Sequence, residues 1–305
     1  MTPPDGPVAL PTALETVAVP RRRGWPAFVS AGSRRLARVT ESTPATLGLA
    51  IVLAWVAVAA LAPLIAPHAP NANDYAALAN PLPTARHWLG TDHLGRDLLS
   101  RVIWGARTVL TVAPLAVAGA VLLGSLFGLA AGYHGGVIDL VITRVCDIVL
   151  SFPVIILYMI ILAAYGSSAL NIIGVLALTK APIIARIVRG ITLELREREY
   201  VAAARMRGES ALYIMLVEIL PNARGPLIVD VCLRMGYTIV LIGVLGFLGI
   251  GLPPPDPDWG GMVKETYGLI SVWPHMALVP CVAISSLVVG FSLLAVGLRE
   301  LGLRD

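Results

Sequence analysis

The chain has 305 residues, 57% of them hydrophobic and 14% charged, with a formal net charge of +4. An average soluble domain carries about 25% charged residues, so a chain this apolar cannot cover its surface in water and reads as an integral membrane protein. Cys146, Cys232 and Cys281 lie in separate apolar runs, which excludes a disulfide framework and leaves them as small buried hydrophobes.

Residues 1–43 are rich in Pro, Ala and Arg and contain no run long enough for a signal-peptide core. Arg21, Arg22, Arg23, Arg34, Arg35 and Arg38 all precede the first hydrophobic segment, as in a cytoplasmic tail leading into an uncleaved anchor. A bilayer core needs about 20 apolar helical residues. Segments meeting that need are expected at 45–66, 108–132, 137–165, 169–190, 226–248 and 274–298. The expectation is an all-α integral membrane protein with six transmembrane helices. Its parts are a tail at 1–43, a first span with an extracytoplasmic segment at 44–106, a five-helix core at 107–298 and a tail at 299–305.

Arginine placement orients these spans. The N-terminal tail, the 191–225 loop (Arg196, Arg198, Arg205, Arg207, Arg224) and the C-terminal tail (Arg299, Arg304) would share the cytoplasmic side. Both termini are then cytoplasmic. Two segments fall outside, 67–106 and 249–272. Thr91 and Asp92 are expected to cap an interfacial helix over 91–106. His87 and His93 are read as solvated, with no metal. Three consecutive prolines stop any helix near 253–255.

The loop 191–225 breaks the apolar pattern. Glu194, Arg196, Glu197, Arg198, Glu199, Arg205, Arg207 and Glu209 would together cost on the order of 20 kcal/mol at mid-bilayer, so they stand at or beyond the membrane surface. Ala202, Ala203 and Ala204 favour helix. Gly208 supplies a stop, Ser210 caps a second, apolar helix over 211–220, and Pro221 ends it. The product is a helical elbow. An amphipathic helix lying on headgroups is the plainer alternative.

The spacing of Ala202–Ala204, Gly208 and Leu220–Pro221, in the loop between spans four and five, resembles the loop by which permeases of ATP-binding-cassette importers hold their ATPases. HWLGTDHLGRDLLSRVIWGAR (87–107), GYHGGVIDLVITRVCDIVLSFP (132–153), APIIARIVRG (181–190), LREREYVAAARMRG (195–208) and GFLGIGLPPPDPDWGGM (246–262) are similar to the dipeptide/oligopeptide/nickel branch. The chain looks like the C-type partner of its two transmembrane subunits. It departs from that pattern in having Ala202 for Glu, Glu218 two residues before Leu220, and Ala181 where Trp is usual.

The resemblance implies a type I, MetI-like permease core with a cytoplasmic coupling helix. It implies ATPase coupling by Glu199, Ala202, Ala203, Ala204, Arg205, Arg207, Gly208, Glu209, Ser210, Leu220 and Pro221. Implied partners are a second permease, two ATP-binding subunits, an extracytoplasmic substrate-binding protein and membrane lipid, with no nucleic acid. No cofactor is expected in this chain. ATP and Mg would sit in the partner subunits, since neither lysine, Lys180 or Lys264, follows a P-loop glycine. Di- or oligopeptide is the expected cargo, with nickel or haem as alternatives. A self-contained secondary transporter would need broken helices with ion sites or inverted repeats, which the sequence does not display. Intramembrane charges at Lys180, Asp230, Arg234 and Asp147 either line the path or pair structurally. Trp259, Asp256 and Asp258 are expected to meet the binding protein or an external gate, or to anchor at the interface.

Overall fold

The computed structural model describes residues 42–253 and 256–302; the tail expected at 1–43 lies outside them except for its last two residues, as do residues 303–305. The described residues are helical, with no strand longer than an isolated bridge. Helix α1 spans Thr43–Ala60 and tolerates Pro44 because it sits in the first turn, where its missing N–H has no intrahelical acceptor anyway. Helix α2 spans Leu98–His134. Helices α3 (Gly136–Ser151) and α4 (Val154–Tyr165) are followed by α5, Ala169–Leu195. Helix α6 is Glu199–Met206. Helix α7 runs Ala211–Leu248, α8 is Trp259–Thr266 and α9 is Pro274–Gly302.

Five of these are long and apolar enough to cross a membrane, and α3 with α4 makes a sixth candidate bent by 88°. A continuous third span over 137–165 is therefore not what forms. Phe152 turns extended and Pro153 cannot donate, so the helix stops at Ser151 and restarts at Val154.

Two further expectations need correction. The 37 residues of α2 reach about 55 Å, more than a bilayer needs, and its first turns take the place of a separate interfacial helix over 91–106. Asp97, not Thr91 or Asp92, is the cap, accepting from the Ser100 amide at 2.8 Å. Nor does Pro221 end a short helix. Ile214–Ile219 widens into a π-helical stretch, and the Leu220 amide donates five residues back to the Met215 carbonyl. That wider turn absorbs the proline's missing donor and bulky ring, so the chain continues as helix to Leu248.

Helices α2 and α5 lie parallel and close. Gly119 meets Ala177, Gly124 meets Ile184, Gly128 meets Val188 and Gly132 meets Thr192, with both sequences ascending together. A Cβ on Gly128 would stand 2.6 Å from the Ala185 carbonyl oxygen, so a larger residue would force the helices apart. Because α2 and α5 run the same way, the intervening α3–α4 pair must carry the chain back along their length. Helices α1 and α9 also pack closely through glycine, but antiparallel: Gly297 meets Ala45, and Gly290 meets Ile51. Ser42 Oγ donates to Glu300 Oε2 at 3.1 Å, so the two described ends emerge together. Trp55, Val109, Leu176, Ile239, Trp259 and Leu287 are among the side chains that join these helices into the main core.

Candidate functional site: a helical elbow and the opposite face

The elbow follows directly from local chemistry. Helix α6 ends in a Schellman turn: the Gly208 amide donates to the Arg205 carbonyl at 2.9 Å and the Glu209 amide to the Ala204 carbonyl at 3.2 Å. Gly208 takes φ +76°, where any Cβ is strained. Nothing lies within 4 Å of the position its Cβ would occupy, so in this chain the glycine answers a backbone need and not a packing one. Ser210 Oγ then accepts from the Tyr213 amide at 3.2 Å and starts α7.

The elbow leans on its own chain with one side only. Val201 and Ala204 are buried with Ile214, Met215, Ile219, Leu129, Ile184 and Val188 in a second core cluster. Of the three alanines, Ala204 is therefore spent internally, Ala203 is half-buried and Ala202 faces out. The outward side carries Glu199, Gly208 and Ser210 with a group of apolar residues, Met206 at 84% exposure, Leu212 at 61% and the partly exposed Tyr213. Met206 and Tyr213 were not among the expected coupling residues. Their signal was an apolar side chain set among charges outside any span. Leu220 and Pro221 are half-buried and lie within α7.

Charges expected at a partner's rim are partly used within the chain. Arg205 stacks over Tyr133 at 5.3 Å. Arg207 pairs with Glu218 at 3.2 Å and faces Glu209 at 3.6 Å. Arg196 donates to the Gly132 carbonyl at 2.9 Å and so ties the elbow's base to the end of α2.

Among the intramembrane charges, Arg234 and Asp230 form an i,i+4 pair, with Nη2 donating to Oδ1 at 3.0 Å. Asp147 pairs with Arg186 of α5 at 2.6 Å rather than with Arg144 on its own helix. Arg189 reaches Asp139 at 2.6 Å in the same manner. Lys180 is buried at 8% exposure, makes no ion pair among the described residues, and stands near the like charge of Arg234.

At the far ends of α2 and α7 the geometry reverses. Trp259 is 0% exposed. Its indole N–H donates to the Val102 carbonyl at 3.0 Å, and its ring meets Trp55 edge-on at 5.1 Å. A Cβ on Gly105 would lie 2.5 Å from the indole, so α2 carries a glycine where the ring enters. Trp259 therefore offers no surface to a partner or to an interface; it is a plug between helices. Asp258 is buried beside it and caps α8 by accepting from the Gly260 and Gly261 amides at 3.2 and 3.1 Å. Burial pushes its carboxyl up to about 6, against the opposing pull of those two amides. Asp256 is exposed. It borders a cleft of about 500 Å³ that also meets Arg96, Arg101, Lys264 and Glu265.

The family described as binding-protein-dependent transport system inner membrane component matches residues 124–301. The N-terminal transmembrane domain of oligopeptide transport permease C matches residues 34–83. A dipeptide transport system permease protein of Alkalihalophilus pseudofirmus is 39% identical over 84% of this chain and 84% of its own length. A glutathione transport system permease protein of Pectobacterium atrosepticum is 36% identical over 94% of this chain and 91% of its own. A solved structure of the MetNI methionine ABC transporter overlaps 68% of this chain and 94% of its own, at 22% identity and a TM-score of 0.49. The chain belongs to the binding-protein-dependent transport system inner membrane components, as a multi-pass permease subunit of the permease C type with that family's all-helical fold, the non-catalytic member of a system that depends on a binding protein.

Proposed function

We propose that the chain forms half of the translocation pathway of an ATP-driven importer of di- or oligopeptides. Its relatives' dipeptide and glutathione names support that cargo class. The pathway's other half comes from a second, similar permease, and energy comes from two ATPase subunits that hold ATP and Mg. An extracytoplasmic binding protein delivers the cargo. Six crossings with both ends in the cytoplasm fit the parallel α2 and α5 and the shared face of Ser42 and Glu300. In that arrangement the chain divides as the sequence suggested: a tail, a first span with its external segment, a five-helix core containing the 191–225 loop, and a short C-terminal tail.

The observation that carries the coupling role is the outward apolar patch of Met206, Leu212 and Tyr213 on an elbow fixed by the Gly208 turn. Outside lipid, such a patch is covered by protein. Joined directly to α5 and α7, the elbow passes closure of the ATPase pair to helices of the core. Lys180 suits the pathway, because a buried ammonium without a carboxylate of its own is matched by a peptide's terminal carboxylate. Asp256 and the cleft beside it are the part of the opposite face that meets the binding protein or an external gate.

Reconstitution in proteoliposomes tests this reading. The chain alone should neither transport nor hydrolyse ATP, and uptake should require the second permease, the ATPases and the binding protein. Uptake by the chain alone would replace the proposal with a self-contained carrier. In the full system, Lys180→Met should lower peptide uptake while leaving subunit assembly intact. Loss of assembly with normal residual uptake per complex would make Lys180 structural.

A further inference from the structure

Between α1 and α2 the chain gathers histidines and carboxylates that the transport reading does not use. His68, His87 and Asp97 each present one ligand atom, and these atoms all lie within 4.8 Å of one another. His87, expected to be solvated, is 5% exposed. Its Nδ1 is 2.8 Å from Asp97 Oδ1, and its Nε2 faces Asp74 Oδ2 at 3.3 Å. The His68 ring lies 4.7 Å from the His87 ring. Its Nδ1 stands 3.8 Å from Asp97 Oδ2 and is a buried nitrogen with no hydrogen-bond partner among the described residues.

We propose that His68, His87 and Asp97 hold one divalent transition ion of the zinc class. Two imidazoles and a carboxylate are a donor set such an ion takes, with water completing four-coordination. Ligand atoms around zinc stand roughly 3.3 Å apart when the bonds are near 2.0 Å. His87 Nδ1 at 2.8 Å from Asp97 Oδ1 and His68 Nδ1 at 3.8 Å from Asp97 Oδ2 bracket that value, and the three ligand atoms lie within 4.8 Å of one another. The supporting groups are already in place. With the His87 proton on Nε2 and donated to Asp74, Nδ1 turns its lone pair to the ion, which then takes the place of the present Nδ1–Asp97 contact. Asp97 Oδ2 is fixed by the Ser100 amide at 2.8 Å and the Ser100 hydroxyl at 2.6 Å. A cleft of about 150 Å³ bordered by His68, Asp74, Arg86 and His87 gives the ion a way in.

A neighbouring group, Asp92, His93 and Glu265, has comparable spacing but a different balance. Arg96 binds both of its carboxylates and Arg101 lies 3.5 and 3.6 Å from them. An ion there would have to displace two guanidinium groups, so that group stays a salt-bridge network. At the His68 site the ion staples three points of the chain, one just after α1, one mid-segment and one at the cap of α2.

The test uses the full chain, extracted with its partner subunits, without a histidine tag, and stripped with chelator. Titration with zinc chloride should show one equivalent bound per chain. His68→Ala should weaken binding by at least about tenfold, and His93→Ala should leave it unchanged. His68 Nδ1 has no hydrogen-bond partner among the described residues, so its loss should spare the fold. Binding that is absent in the wild type, or equal in His68→Ala, overturns the proposal. Should His68→Ala fail to assemble, the cobalt(II) spectrum of the wild type decides. Strong d–d bands of a four-coordinate ion support the site, and the weak spectrum of the hydrated ion overturns it.

Discussion

The two ends of the helical unit are built on opposite plans. At the elbow, order comes from local caps, the Schellman turn at Gly208 and the Ser210 cap, while Met206, Leu212 and Ala202 are left facing outward. At the other end, order comes from distant contacts: Trp259 reaches α1 and α2, and His275 Nε2 lies 3.1 Å from the Pro81 carbonyl. Both segments interrupt the apolar pattern with charged residues. What separates them is the fate of the apolar residues at each bend: Trp259 is enclosed by the chain's own helices, whereas Met206 and Leu212 are not, although Tyr75, Trp88 and Tyr267 stand exposed elsewhere on the outer end.

This contrast is open to direct attack. The largest effect is expected from Trp259→Ala, which opens a cavity between α1, α2 and α8 and removes the indole's hydrogen bond to the Val102 carbonyl. Truncating so large a buried ring costs about 3–5 kcal/mol, to be read as a lower thermal midpoint in detergent. An unchanged midpoint would show that the plug does not hold that end together.

The next effect is a pH dependence. The Asp258 carboxyl titrates near 6 in the folded chain, above its unfolded value of about 3.9. The folded state therefore binds more protons between those values. The Asp258 contribution to stability is greatest below about pH 4, falls as pH rises to about 6 and is level above, a loss of up to roughly 3 kcal/mol. Asp258→Asn should remove that part of the slope in pH-dependent thermal scans; an identical slope in the variant would place the titration elsewhere.

Gly208→Val should leave the opposite end untouched but force a branched residue to φ +76°, at a cost of about 1–3 kcal/mol. The expected readout is loss of uptake in the reconstituted system with the chain still present in the membrane. Gly208→Ala should fall between, since no neighbour crowds its Cβ. Full coupling in the valine variant would mean the turn is dispensable.

The smallest change in stability is expected for Met206→Ser, within about 0.5 kcal/mol for so exposed a position, paired with a clear loss of ATPase retention on co-purification. If stability falls instead and retention does not, Met206 belongs to the chain's own packing and the contrast between the ends fails.

Much of the membrane architecture was legible because it depends on composition and on rules that act within a few residues. The apolar runs, the stop at Gly208 and the cap at Ser210 all follow from hydropathy, backbone conformation and a side chain reaching three residues ahead. Pro153 was equally visible, yet its effect was not. A proline breaks a helix or bends it according to what the neighbouring helices permit, and here it stands at an 88° break. Pro221 shows the converse, since a π-helical stretch lets the helix pass through. The partner of Asp147 could not be read from the string, because Arg144 three residues earlier is visible there and Arg186, on another helix, is not.

The sequence alone determined that this is a membrane protein, that its 191–225 loop carries charge too costly to bury in lipid, and that the loop bends at Gly208. These are consequences of transfer energies and of backbone dihedrals, and no distant residue is needed to specify them. Only the tertiary structure decided that Trp259 is hidden while Met206 is bare, that His87 is buried beside Asp97, and that α2 and α5 run parallel along a glycine stripe. Burial and pairing are set by which surfaces meet, and residues far apart in the chain settle that together.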